Sequence, residues 1–184
     1  SKKVLGPNRF VGLHAHCGTG SPYDGLGYPN QHIDFVLSNE MDAWSLTDHG
    51  NGNGLAHAHA YAKKLKKKGQ KYRQIYGVEF YFVPSLSEWR VAYDNHREEV
   101  RAARSEKKSL ELTDINSEDE VSGGLVIENE DETKADFSKN DWKRRYHLVV
   151  LAKDSVGLGN LFTLVKKSYT EGFYRFPRID FDML

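Results

Sequence analysis

The chain has 184 residues, 39% hydrophobic and 28% charged, the size of one domain able to bury a core. Its 26 basic and 26 acidic residues cancel, so general attraction to nucleic acid or membrane is not encoded in net charge. A single cysteine, Cys17, excludes an internal disulfide and any multi-thiolate zinc site, leaving nitrogen and oxygen to hold a metal. No apolar run of about 18 residues and no charged-then-apolar leader layout occurs, which predicts a cytoplasmic protein with no membrane contact. The first residue is Ser1, consistent with Met removal or with excision from something longer.

In chain order, Phe10 to His16 reads as a short buried strand, followed by the Gly-rich loop Gly18 to Gly27. Asn30 to Asn39 has helical spacing, Asp42 to Asp48 reads as a second strand, and Gly54 to Lys68 as a helix. Gln74 to Val83 is rich in β-branched and aromatic residues, as is Tyr146 to Lys153, and both are expected to be strands. Ser155 to Thr170 places Leu158, Leu161, Leu164 and Val165 on one helical stripe. This alternation predicts parallel strands joined by crossover helices, with ligands gathered at the C-terminal strand ends. Pro84 to Arg145 breaks the rhythm. Glu88 to Lys108 reads as a charged, solvated helix, and Glu111 to Asp136 as an acidic excursion around an apolar island at Leu125 to Ile127. The expectation is one domain, 1–184, with a charged insertion at 84–145.

His14-Ala15-His16 carries the strongest chemical signal, because residues two apart in a strand point to one side and both imidazoles can reach one ion. His57-Ala58-His59 lies in a helical stretch, where the same spacing rotates the rings apart by roughly 200°. Further candidates end or begin the other strands: Asp48 and His49 in Thr47-Asp48-His49-Gly50, Glu79 in Gly77-Val78-Glu79, and His147 in Tyr146-His147-Leu148. Asp24 in the Gly-rich loop is a sixth. Singly, each has an ordinary reading: Asp48 as a turn cap, Glu79 as a buried ion-pair partner, His147 as a satisfied core histidine. Together, at the ends of successive strands, they suit a mixed imidazole and carboxylate site for zinc, manganese or iron.

HxH, LTDHGN, GxE and HLxxLAK resemble the PHP (polymerase and histidinol phosphatase) superfamily. GLHAH (Gly12 to His16), YDG (Tyr23 to Gly25), LTDHGNGNG (Leu46 to Gly54), YGVEFY (Tyr76 to Tyr81) and the stretch from His147 to Asp180 resemble, more narrowly, the N-terminal PHP domains of bacterial DNA polymerase III alpha subunits. The resemblance implies the N-terminal portion of a distorted (β/α)7 barrel with up to three divalent metals, zinc or manganese, with iron or magnesium as alternatives. The implied ligands are His14, His16, Asp24, His49, Glu79 and His147, with Glu79 bridging two metals; His49, Glu79 and Asp48 are the catalytic candidates, Asp48 either supporting the ligands from behind or serving as an alternative ligand. The loop from His16 to Asp24 is one residue longer than the family's usual, and the family's remaining ligands, a His or Cys and a late Asp-x-His pair, would fall beyond Leu184. Phosphodiester hydrolysis at a 3′ terminus is the implied activity of the complete domain. A noncatalytic scaffold within the polymerase, or a free-standing phosphoesterase, are the other readings. Implied partners are the remainder of the polymerase subunit, DNA, and replisome subunits or a complementing fragment covering open sheet edges.

Other motifs carry less. Asp180-Phe181-Asp182 has the spacing of a two-metal carboxylate pair but lies in the family's PRID segment. The Gly-rich loop lacks the GxxxxGK[ST] pattern that cradles nucleotide phosphates, the basic run Lys63 to Arg73 reads as a solvated face, and Cys17 as a small buried thiol.

Overall fold

The computed structural model describes residues 10–114 and 145–184. Its elements are α1 (Pro29–Ser38), β1 (Ala43–Leu46), α2 (Asn53–Lys67), β2 (Arg73–Phe82), α3 (Leu86–Asp114), β3 (Tyr146–Leu151), α4 (Ser155–Thr170), β4 (Phe173–Tyr174) and β5 (Phe176–Ile179), followed by a 3-10 turn at Phe181–Met183. Two compact units emerge, one formed by 1–84 with 145–184 and the other by 85–144. Among the described residues no helix is long and apolar enough to cross a membrane.

In the first unit β2 is the central strand. Along one edge it pairs in parallel with β1, from Ala43↔Arg73 to Leu46↔Tyr76, and the same register continues in a bridge between His49 and Glu79. Further along, Tyr81 and Phe82 pair in parallel with Arg178 and Ile179 of β5, and β4 folds back antiparallel on β5. The other edge carries β3, antiparallel, from Gly77↔Leu151 to Phe82↔Tyr146. The sheet is therefore mixed and, among the described residues, not closed into a barrel.

Two expectations are corrected here. The fourth predicted strand does not run parallel: Phe82 and Tyr146 are direct partners, so β2 and β3 form the two arms of a hairpin whose connection leaves and returns at one end. The segment from Phe10 to His16 is extended but forms only one bridge, Gly12 with Trp44. Its pairing with β1 is partly taken over by a side chain, because Thr47 Oγ1 accepts the Ala15 N–H at 3.1 Å while the Thr47 N–H donates to the Ala15 carbonyl.

The apolar pattern explains what each element covers. Val78 and Phe80 alternate with Glu79 along β2, so they face one side of the sheet, where Leu161 and Leu164 of α4 and Ile179 pack on them. Leu158 and Val165 complete the predicted stripe at the edge of this cluster. A second cluster joins Ile33 and Val36 of α1, Trp44 and Leu46 of β1, Leu55, Ala58 and Leu65 of α2, and Cys17. Each fully buried Leu or Ile contributes about 1.5–3 kcal/mol. The alternation that sends Val78 and Phe80 into the core sends Glu79 and Tyr81 to the opposite face.

In the second unit α3 starts near the expected charged helix and extends past Lys108 to Asp114. Trp89 stacks on Tyr93 at 5.4 Å, and the Arg97 guanidinium lies 5.8 Å from the Tyr93 ring, contacts set by i, i+4 spacing. The acidic stretch beyond Asp114 and its island at Leu125 to Ile127 lie outside the described residues.

Candidate metal centre

Glu79 is the hub of the site. Its side chain is 5% exposed, and Oε2 stands 3.2 Å from His14 Nε2, 3.0 Å from His16 Nε2 and 3.5 Å from His49 Nδ1. Oε1 meets His147 Nδ1. On its far side His49 places Nε2 at 2.6 Å from Asp24 Oδ2. Three overlapping donor groups result, His14–His16–Glu79, His16–Asp24–His49 and His49–Glu79–His147, each with ligand atoms within 4.8 Å of one another.

The local sequence explains each placement. His14 and His16 keep the two-residue alternation of an extended chain, so both rings turn to Glu79, 4.8 Å apart and edge to face. His16 stacks on His49 at 4.2 Å. His49 lies where the line of β1 continues beside β2: the Glu79 N–H donates to the Asp48 carbonyl at 3.1 Å and the Gly50 N–H to the Glu79 carbonyl at 2.7 Å. Gly50 holds φ +61°, a conformation natural to glycine. His147 stands near the start of β3, and only the antiparallel direction brings that start alongside the end of β2, opposite Tyr81.

Asp48 turns away from these donors. It is 1% exposed, and its carboxylate accepts from the Cys17 N–H at 2.8 Å, the Ser21 hydroxyl at 2.9 Å and the Cys17 thiol at 3.2 Å. The Ser21 hydroxyl in turn accepts the His49 N–H at 3.1 Å, and Asn51 Nδ2 donates to the Gly20 carbonyl. Asp48 thereby fastens the loop that carries Asp24 to the strand end that carries His49. A buried carboxylate so engaged orients the neighbouring loop and strand end.

Ligand-ligand spacing and orphaned atoms both fit a metal. Two donors each about 2.0–2.2 Å from a shared ion stand about 3–3.5 Å apart, the spacing of the three imidazole nitrogens around Glu79 Oε2. His16 Nδ1, His49 Nδ1 and Glu79 Oε2 are buried without a hydrogen-bond partner, a costly arrangement unless something else meets the convergent lone pairs. Burial, and then the neighbouring His49, pull the His16 imidazole below its ordinary value, favouring the neutral form a metal needs. The hydrogen bond to His49 holds the Asp24 carboxyl below its usual range, keeping it anionic.

All six ligand candidates read from the sequence thus converge. The others do not: His57 is exposed, His59 Nδ1 lies 2.8 Å from the Tyr76 hydroxyl, and Asp180 accepts the Met183 N–H, capping the last turn. Three neighbours were not anticipated. Tyr81 stacks almost parallel to His49, 5.9 Å away, and meets His147 edge-on at 5.1 Å; Phe176 lies 4.9 Å from Tyr81, and the Arg145 guanidinium caps both rings. The alternation from Glu79 to Tyr81 could have flagged the tyrosine. Nothing local flags Phe176, whose strand is four residues long.

Residues 12–184 match the family described as the PHP domain, and the chain belongs to that family. Among curated proteins, it is similar to DNA polymerase III subunit alpha from several bacteria. The protein from Saccharopolyspora erythraea is 29% identical over 95% of this chain and 12% of its own length. That from Treponema pallidum is 46% identical over 29% of this chain and 5% of its own, and that from Borreliella burgdorferi 55% identical over 23% and 4%. The chain thus spans a small part of the length of the curated relatives it matches. A solved amidohydrolase from Chromobacterium violaceum shows a weaker likeness, with TM-score 0.32 and 29% identity over 40% of this chain and 23% of that one.

Proposed function

We propose that the chain is the metal-binding PHP module of a bacterial DNA polymerase III alpha subunit, with phosphodiester hydrolysis at a 3′ terminus as its activity in the complete domain. The observation that carries this reading is the single Glu79 carboxylate meeting imidazoles from three separate stretches of chain, with Asp24 beyond His49. Divalent ions held there, zinc or manganese with iron or magnesium as alternatives, up to three, would lower the pKa of water toward neutrality and offset charge on a phosphoryl group.

In this reading His14, His16, Asp24, His49, Glu79 and His147 are the ligands. Glu79, His49 and His16 each belong to two donor groups, so these residues would be shared between adjacent ions. Asp48 is a positioning residue acting through Ser21 and the loop. Burial raises the pKa of the Tyr81 phenol, so beside the cluster it stays protonated and donates rather than attacks. Residues 84–145 are an insertion at the tip of the β2–β3 hairpin, and the partners are the rest of the polymerase subunit and DNA.

The test is metal analysis of the purified chain beside Glu79→Gln, with hydrolysis assayed on 3′-labelled single-stranded DNA and on p-nitrophenyl phosphate. Stoichiometric metal in the parent and loss of most of it in the variant are expected. Equal metal content in both would overturn the reading. A noncatalytic scaffold is the second reading, favoured by the way the Glu79 contacts tie distant segments together. Full metal occupancy with neither substrate cleaved would select it.

A further inference from the structure

Two arginines lie beside Tyr81, and they are engaged differently. Arg178 is 3% exposed; its Nη1 donates to the carbonyls of Tyr174 and Phe176, and burial pulls its pKa down to about 10. That guanidinium fastens the β4–β5 turn, whose tip, Arg175, has φ +56°. Arg145 is exposed, and its guanidinium lies 4.1 Å from the Phe176 ring centre and 5.6 Å from that of Tyr81. Tyr81 in turn contacts His49 and His147. One aromatic ring therefore separates the Arg145 cation from the donor cluster. Arg145 also lies two positions before His147 at the entrance of β3, where strand alternation puts both on one side.

The arrangement solves a problem of charge. Ions held by the cluster would take some oxygens of a bound phosphate, and the remaining oxygens and negative charge still call for a protein cation. A guanidinium lying over an aromatic ring keeps N–H groups available, and its forked edge can match two phosphate oxygens at once. Contact with the two rings restricts where the guanidinium can lie, which lowers the entropy lost when the anion docks.

We infer that Arg145, resting over the adjacent rings of Phe176 and Tyr81, binds the non-bridging oxygens of the substrate's phosphate next to the metal cluster. The inference deepens the proposed function and rests on it for the identity of the substrate as a phosphodiester. It assigns Phe176 and Arg178 to positioning, since they shape the platform on which the guanidinium lies.

The experiment titrates inorganic phosphate, and separately a thymidine dinucleoside monophosphate, into the full chain by calorimetry, metal-free and with manganese. The parent, Arg145→Gln and Arg145→Lys are compared, with manganese content measured in each. Arg145→Gln should weaken both ligands by about 10-fold or more at unchanged manganese content, as expected for loss of a charge-assisted pair. Arg145→Lys, which keeps the charge and loses the fork, should fall between and carries the test should the Gln variant not fold. Unchanged affinity in both variants, or no binding by the parent, overturns the inference. Failure of the parent to take up manganese instead removes the proposed function, while the metal-free titration still reads Arg145. An effect on inorganic phosphate alone would identify the site as one for free phosphate and overturn the phosphodiester assignment.

Discussion

A methyl group added at Gly20 would stand 2.2 Å from Asp48 Oδ2, and one at Gly54 2.6 Å from both that oxygen and Cys17 Sγ. The carboxylate cannot retreat without abandoning its bonds to Cys17 and Ser21. Gly20→Ala should therefore lower stability by about 1–3 kcal/mol, the usual range for overpacking, and loosen Asp24 without touching any donor atom. Urea unfolding would read the first effect and metal stoichiometry the second. Cys17 illustrates the same confinement chemically. Burial, and then its hydrogen bond to Asp48, raise the thiol pKa above its ordinary 9.0. The folded state holds that proton more tightly than the unfolded state does. Its contribution to stability is thus complete below pH 9.0 and is lost as pH rises through the raised value. Iodoacetamide at about pH 8.5 should label the native chain at less than about a tenth of the rate of the urea-unfolded chain, and comparable rates would contradict this placement.

Direction matters more than identity for the strands. Exchanging Tyr146 and His147 leaves composition and exposure nearly constant, yet moves the imidazole to the other face of β3. Metal content of the exchanged variant should drop to that of His147→Ala, with melting temperature changed little. In α4, Leu161→Ala removes a side chain that is 2% exposed and should cost about 2–5 kcal/mol in unfolding free energy. The type of most elements was legible from the chain, since Val78 and Phe80 alternate with Glu79 and the leucines of α4 recur at helical spacing. The orientation of β3 was not, because a period of two is the same read forwards or backwards and only long-range pairing distinguishes them. The six donors were legible because each is a ligand type near a strand end or in the Gly-rich loop. The Phe176 platform was not, because β4 and β5 are too short to show a period and depend on the Tyr81 pairing and on Arg178. Asp48, adjacent in sequence to His49, faces the opposite way by the same alternation.

For the whole molecule, the stretch between Pro84 and Arg145 interrupts the chain between β2 and β3, whose ends meet as a hairpin. Phe82 and Tyr146 are already partners, so the ends of everything between them are held at the distance a tight turn would span. Replacing 85–144 by a short Asn-Gly-containing turn should yield a chain that folds and keeps its metal stoichiometry, measured by atomic absorption after dialysis. Loss of metal in a folded product would show that the second unit supplies something to the centre. Closing a longer connection costs only about 0.6 kcal/mol for each doubling in length. The hairpin tip is thus a permissive graft point: a reporter whose own termini lie close together could be installed there, its signal following the integrity of the donor-bearing half without disturbing it.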